Sequence, residues 1–325
     1  MNKTQQQGLS LVELVVAVGL ASFIIGGIFQ VVLSNRQAFH LTESMVRVQE
    51  SGRFALNFIS DDVRQSGGYG CTPTFDSVSQ NIQSFAAEMP DINGIQTAAP
   101  ANFGNSTDGA SGGATAFDAP DTLGLLKLNQ NSATITGGVL DPSTLSMTNE
   151  GSFATGDYVL VSNCEIADLI RLGVGSTNVQ MVDATGGLRY GFYTIQNKRT
   201  TINEIEHRFF AVNADNELEL GINGARQVLL DGVENIQYRY GVDSDGDLVP
   251  DYFANISTIP AASITDIVAV NISVLTVSGS LVEGNAEQVT GSPQTINFNE
   301  KSLAMPDRRL RKVFETTVIL RNRMN

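Results

Sequence analysis

The densest group of potential ligands in the sequence is an acidic loop at residues 243–251. It reads DSDGDLVPD, so that four carboxylates fall within nine residues around one glycine. Alternate aspartates can turn several oxygens toward one point, and the glycine permits the sharp turn that this requires. The carboxylates also repel one another, which a bound cation relieves. The loop predicts a site for a hard cation, and a solvated, metal-free acidic turn is the alternative.

The acidic loop resembles the calcium-binding loops of thrombospondin type 3 repeats and the first half of an EF-hand. That resemblance implies calcium held by four side chains and one backbone carbonyl: Asp243, Asp245, Asp247 and Asp251, with the carbonyl of Val249. No second acidic loop follows, and Ala254 stands where an EF-hand carries its bidentate glutamate. These departures predict weak binding with a structural role, such as clamping a hairpin.

Near the N-terminus, one acid interrupts a long apolar run. After the polar stretch MNKTQQQG, residues 9–33 contain a single charge, that of Glu13. A helix of this length, at about 1.5 Å per residue, is long enough to cross a hydrocarbon core of roughly 30 Å. Lys3 ahead of the run favours a cytoplasmic N-terminus and an exported body. A carboxylate in such a helix normally needs a partner, unless it lies at the level of the lipid headgroups.

The sequence from Gly8 to Glu13, GLSLVE, resembles the type IV prepilin signature. The resemblance implies that residues 1–8 are a leader, which prepilin peptidase removes between Gly8 and Leu9. It also implies methylation of the new amino group on Leu9. Glu13 is then expected to pair with the N-terminal amine of a neighbouring subunit and so to set the axial register during assembly.

Beyond the membrane-length run, apolar and small residues continue at helical spacing. They recur every three or four positions among charged residues. The series is Leu41, Met45, Val48, Gly52, Ala55, Ile59 and Val63. It predicts one helix with a membrane half at 9–33 and an amphipathic half at 34–66 that packs on an apolar surface, ended by the glycines at 67–68.

The remaining body, residues 67–325, is polar at first and rich in strand signals later. Residues 72–150 abound in Ser, Thr, Asn and Gly and predict a loop-dominated insertion with a few short strands. Alternating apolar residues predict antiparallel strands, with the amphipathic helix as their cover. These strands are expected at 157–162, at 205–220 with a turn at 213–216, and at 236–240, 264–277 and 314–320. The fold class is therefore α+β.

Charge, cysteine and histidine content narrow the function. The net charge of −14 disfavours general nucleic-acid binding, and the basic run at 308–312 predicts a solvated strand edge. Two cysteines in an exported chain, Cys71 and Cys164, predict one disulfide, against two unrelated buried thiols. His40 and His207 are too few and scattered for a zinc site or a catalytic set. We predict that the protein is not an enzyme.

Three stretches of the body resemble minor pilins of the PilW type: GDYVLVSNCEIADLIRL, LLDGVENIQYRYGVDSDGD and VFETTVILRNR. The resemblance implies a type IV pilin fold, anchored in the inner membrane with its head in the periplasm and found on the cell surface after assembly. It implies a low-copy subunit that acts with other minor pilins, the major pilin and the inner-membrane assembly platform, and so supports adhesion, twitching motility or DNA uptake. A minor pseudopilin of type II secretion and an adhesin mounted on a pilin stem are the alternatives.

Overall fold

A computed structural model shows a long N-terminal helix followed by antiparallel sheets. The structure describes residues 11–66, 106–138, 144–147, 153–154, 157–162, 167–171, 179–181, 200–279, 292 and 294–320. Helix α1 covers Leu11–Gln65. The strands are β1 (Leu123–Gly138), β2 (Thr144–Met147), β3 (Tyr158–Ser162), β4 (Ala167–Arg171), β5 (Val179–Met181), β6 (Thr201–Val212), β7 (Glu217–Ile222), β8 (Ala225–Asp231), β9 (Val233–Val242), β10 (Tyr252–Ala254), β11 (Ile267–Val277), β12 (Thr295–Phe298), β13 (Lys301–Ala304) and β14 (Arg311–Ile319).

Helix α1 has two halves with different surroundings. Every residue from Leu11 to His40 is exposed, whereas Val48, Ala55 and Ile59 in the second half are buried. The predicted single helix is confirmed over Leu11–Gln65. Met45, expected on the covered face, is instead 44% exposed, because the buried stripe passes through Ser44 and Val48. The glycines at 67–68 lie outside the described residues.

The second half of α1 lies on a four-stranded sheet in the order β10-β9-β11-β14. In this sheet Val274 of β11 stands opposite Ile236 of β9 on one side and Phe314 of β14 on the other. A Cβ atom on Gly52 would lie 2.2 Å from the Phe314 ring, so the ring and the helix backbone are in direct contact. The helix is thus the cover of the sheet, as the alternating strands predict.

An eight-stranded antiparallel sheet forms the rest of the head. Its strands run β4-β3-β6-β1-β2-β5, with β7 paired to β6 and β8 paired to β7. Leu123, Leu125 and Phe210 from this sheet belong to the same hydrophobic core as Ile59 of α1 and Ile236 of β9. Burying each such side chain contributes roughly 1.5–3 kcal/mol. A shared core therefore joins the helix to both sheets.

Within residues 72–150, predicted to be loop-dominated with a few short strands, the structure describes β1, a strand of sixteen residues that is longer than expected. Polar residues at 129–132 interrupt the apolar alternation, and the register against β6 shifts between Leu128 and Ser132. The hairpin at 205–220 is confirmed, with β6 and β7 joined at 213–216. Asn216 takes a φ of +62° in that turn, a conformation that asparagine tolerates.

The basic run at 308–312 is not the solvated strand edge that was predicted. Arg309 and Arg311 are only 7% and 5% exposed. The Arg311 Nε donates to Glu234 at 2.5 Å, and the same guanidinium donates to Asp307. Arg309 shares both acidic partners. Arg309 and Arg311, half of the basic run, are therefore engaged in internal ion pairs.

Candidate functional site

The membrane-length half of α1 presents an apolar surface with one acid on it. It contains an 18-residue window of mean hydropathy 2.4 with none of it buried, so among the described residues it is the one helix long and apolar enough to cross a membrane. Glu13 lies in the first turn, beside Val12, Val16 and Leu20. A carboxylate in this position can bind a cationic group presented by another molecule. Gly8 and Leu9, the predicted processing site, lie outside the described residues.

An ion cluster that the sequence analysis missed fastens α1 to the eight-stranded sheet. We call Asp62, Lys127, Arg208 and Glu206 the stem clasp. Asp62 is 5% exposed and accepts hydrogen bonds from Lys127 Nζ at 3.0 Å and from Arg208 NH1 at 2.8 Å. Burial lowers the pKa of Arg208, but the hydrogen bond and charge of Asp62 outweigh it and raise the pKa above its ordinary value. The partners lie 65 and 146 positions from Asp62, so no local pattern could reveal them.

The acidic loop connects β9 to β10, and both of its ends are fixed by the sheet. The Asp243 N–H donates to the Asp266 carbonyl at 2.9 Å, and the Asp251 N–H donates to the Val242 carbonyl at 2.8 Å. The Ser244 N–H in turn donates to Asp251 Oδ2 at 2.7 Å. The loop is thus closed across its base by the residues that begin and end it.

Asp243 organises the interior of the loop. Its carboxylate accepts backbone N–H groups from Gly246 at 2.7 Å, Leu248 at 2.8 Å and Asp245 at 3.2 Å. Gly246 and Leu248 have positive φ angles of +83° and +68°, which turn their N–H groups inward. Burial raises the pKa of Asp243, but these N–H donors outweigh it and hold the pKa below its ordinary value.

Three of the predicted cation ligands converge in this loop. One carboxylate oxygen from each of Asp243, Asp245 and Asp247 lies within 4.8 Å of the others. The N–H of Asp247 lowers the pKa of the Asp245 carboxyl group, whereas the charges of Asp247 and Asp251 raise it. The net effect is a pKa above its ordinary value. Mutual repulsion of this kind is what a cation would relieve. Val249 and Asp251 belong to the same loop but not to the converging group.

Other predicted site residues are placed elsewhere or fall outside the description. Cys71 and Cys164 lie outside the described residues, so the predicted disulfide stays a prediction. His40 is on α1 and His207 is buried on β6. Among the residues that the structure describes, the three converging aspartates form the one group of His, Cys, Asp or Glu side chains arranged to hold a metal.

Comparison with known proteins bears on the C-terminal part of this architecture. Residues 192–322, which include β6–β14 and the acidic loop, match the family model of the type IV pilus-assembly protein W. This part of the chain is similar to the PilW family. The match covers less than half of the chain, and it takes in the hairpin of β6 and β7 together with the whole four-stranded sheet.

A solved structure gives a second comparison. A type IV-like pilin from Thermus thermophilus is 18% identical over 53% of this chain and 87% of its own, with a TM-score of 0.22. With a TM-score this low, the likeness carries no argument about the chain. Comparison with curated proteins gives no match.

Proposed function

We propose that this protein is a PilW-type minor pilin, a structural subunit that primes or supports assembly of a type IV pilus, and that it catalyses no reaction. In this proposal, prepilin peptidase cuts between Gly8 and Leu9, and the Leu9 amine becomes methylated. The stem holds the subunit in the inner membrane with its head in the periplasm until the assembly platform passes it into the filament. Its partners are then the other minor pilins and the major pilin.

One observation carries this proposal. A single helix, α1, joins a fully exposed apolar half to a half that is packed into a head of which residues 192–322 match the PilW family model. An uncovered apolar surface of this length is stable only inside a membrane or against other apolar helices. In this proposal, lipid covers the apolar half of α1 before assembly, and neighbouring apolar helices cover it in the core of the filament.

Glu13 is the residue on which the assembly role can be tested. We propose that its carboxylate pairs with the N-terminal amine of a neighbouring subunit, because a lone charge on an apolar helix needs a partner of opposite sign. Deleting the gene is expected to leave few or no surface pili. A Glu13→Gln variant, which keeps the shape and removes the charge, is expected to be poorly incorporated, as measured by its amount in sheared pili.

Ser22→Ala provides a matched control within the same apolar half. The Ser22 hydroxyl donates to the Val18 carbonyl within the helix at 2.7 Å, so it needs no partner on another subunit. This variant should enter pili as the unaltered protein does. Normal incorporation of Glu13→Gln would contradict the pairing role. Normal piliation of the deletion strain, with a defect in protein secretion instead, would favour a type II secretion pseudopilus.

We further propose that the acidic loop binds calcium as a structural clamp between β9 and β10. The converging oxygens of Asp243, Asp245 and Asp247 support it, and Asp251 and the Val249 carbonyl would complete the ligand set. All-oxygen ligands of this kind suit calcium, with affinities in the range of about 10⁻⁴–10⁻³ M for extracellular modules. The role of the metal is to neutralise the repelling carboxylates rather than to catalyse a reaction.

Thermal unfolding in excess calcium and in excess chelator tests this clamp. Calcium at about a hundred times its Kd should stabilise the protein by about 2.7 kcal/mol and raise the Tm. Asp245→Asn should abolish the rise, whereas Asp215→Asn, in the exposed turn between β6 and β7, should preserve it. An equal Tm in calcium and chelator would refute calcium binding.

The disulfide between Cys71 and Cys164 remains our proposal for covalent stabilisation of the exported head. In the chain-entropy model, a bridge that closes a loop of this length stabilises a protein by roughly 4–5 kcal/mol. Peptide mapping without reductant should recover one linked pair. Two free thiols in the native protein would refute the bridge.

A further inference from the structure

Residues 106–122 form a compact loop, which we call the strap, along one edge of β9. Its two limbs pair with each other through a bridge between Thr107 and Thr122, and the Ala119 N–H donates to the Ala110 carbonyl at 2.8 Å. A Cβ atom on Gly109 would lie 1.9 Å from the Ala119 carbonyl oxygen. The limbs are therefore in direct backbone contact.

The strap occupies the part of the β9 edge that none of the described strands covers. The Asp121 N–H donates to the Ile236 carbonyl at 2.9 Å. From the side chains of β9, Asn235 donates to the Asp118 carbonyl and Gln237 to the Ala119 carbonyl, both at 2.7 Å. Farther along the same edge, β10 takes over the pairing at Tyr240. An edge covered in this way cannot pair with another chain.

The Asp121 carboxyl group ties the strap together and to β9. It is 3% exposed. One oxygen accepts the N–H of Gly109 from the opposite limb at 2.7 Å, and the other accepts the N–H of Tyr238 from β9 at 2.8 Å. A single side chain thus replaces the backbone partners that a neighbouring strand would supply to both groups.

Among the described residues, the charged side chains that raise the pKa of Asp121 are both acidic. Asp108 and Asp118 face it from the strap, and Tyr238 and Tyr240 face it from β9. Lys301, from β13, donates instead to Asp118 Oδ1 at 2.7 Å. Burial raises the pKa of Asp121 to about 6, since the two N–H donors only partly offset it. The hydrogen bond from Lys301 lowers the pKa of Asp118, which therefore stays ionised in mild acid.

We propose that Asp121 is a proton-operated latch, which holds the strap more tightly on β9 when its carboxyl group is protonated. The proton removes a buried negative charge beside Asp108 and Asp118, while both oxygens keep lone pairs for the two N–H donors. The latch is a property of the head alone and does not depend on the function proposed above. In an exported head it would respond to the pH of the medium.

The direction of the response follows from linkage. The pKa of Asp121 is about 6 in the closed strap, above the ordinary value of 3.8 expected once the strap opens. A raised pKa in the closed state contributes stability that is complete below 3.8 and is lost as the pH rises through 6. Between pH 7.5 and pH 5.0 the opening equilibrium constant of the strap should therefore fall about tenfold.

Hydrogen exchange of the full chain in detergent micelles, followed by mass spectrometry, tests the latch. Peptides covering 106–122 and 235–240 are compared at pH 7.5 and pH 5.0, after correction for the pH dependence of the chemical exchange rate. Protection of these peptides should rise about tenfold in acid, as one protonation step predicts. Peptides from α1 serve as the internal reference.

Two variants separate the latch from other effects of acid. Asp121→Asn carries no titratable proton, so protection of the strap should be equal at the two pH values. Asp108→Asn removes one neighbouring negative charge, so the rise should remain but be smaller over the same interval. If Asp121→Asn fails to fold, the change in strap protection between the two pH values, compared in the unaltered chain and in Asp108→Asn, still tests the latch. Protection that is constant or falls in acid, or a full response in Asp121→Asn, would overturn the proposal.

Discussion

A buried carboxylate on the stem helix, Asp62, holds two cations that arrive from a different part of the fold. Lys127 and Arg208 each keep 18% of their side chains exposed, whereas the Asp62 side chain keeps 6%. Removing the acid would leave Lys127 without this partner and Arg208 with Glu206 alone, so that a largely buried cluster would carry a net positive charge. That imbalance, rather than the lost attraction alone, dominates the cost of breaking such a cluster.

We therefore expect Asp62→Asn to lower the free energy of unfolding by about 3 kcal/mol. Urea unfolding of the full chain in detergent, followed by circular dichroism, measures the change. Asp61→Asn is the matched control, because Asp61 and its partner Arg64 are 67% and 49% exposed and flank the same turn. Its effect should stay within about 0.5 kcal/mol. A loss of equal size in both variants would show that the stem clasp has no special role.

Asp307 provides a residue-scale prediction of opposite sign to that for Asp121. The Arg311 hydrogen bond lowers the pKa of Asp307 well below its ordinary value, and Arg309 adds to the effect. A lowered pKa contributes stability that is present above 3.8 and is lost as the pH falls toward the folded value. Asp307→Asn should accordingly unfold at a lower urea concentration than the unaltered chain at pH 7. The gap should narrow steadily from pH 4 to pH 2, whereas a constant gap would contradict this assignment.

At the scale of elements, the contact between α1 and β14 depends on a glycine. The Phe314 ring occupies the space that a side chain on Gly52 would need, with the nearest ring atoms 2.2 Å from an added Cβ atom. Gly52→Ala must move the ring or the helix, so we expect a loss of about 1–3 kcal/mol in unfolding free energy. Gly26→Ala is the control, since nothing lies within 4 Å of its added Cβ atom. Greater stability of Gly52→Ala would exclude this close packing.

The elements also show which parts of the fold local sequence patterns can predict. The hairpin of β6 and β7 is predictable because Asn213 and Asn216 supply local turn chemistry between alternating strands. Strand β1 is not, because its polar middle pairs with β6 from a distant part of the chain and carries a register shift. The carboxylates of the acidic loop converge within a few residues and were predictable. The stem clasp and Asp121 depend on tertiary contacts that leave no periodic signal.

At the scale of the whole molecule, the membrane half of α1 and the head are independent in packing. Residues 11–40 are exposed throughout, so they form no part of the buried core. A chain that begins at Ser34 should therefore unfold at the same urea concentration as the full chain, because removing exposed residues changes little buried area. It should also lose its association with membranes in sedimentation after carbonate extraction. A markedly lower unfolding midpoint would show that the apolar half contributes to the stability of the head.

The unbroken course of α1 has a mechanical consequence. Its 55 residues extend over roughly 80 Å as one continuous helix from Leu11 to Gln65. A force applied to the sheet along the helix axis is therefore transmitted directly along the helix to Glu13. Extraction of the helix from lipid should thus be cooperative, so that all of its apolar turns leave the bilayer together.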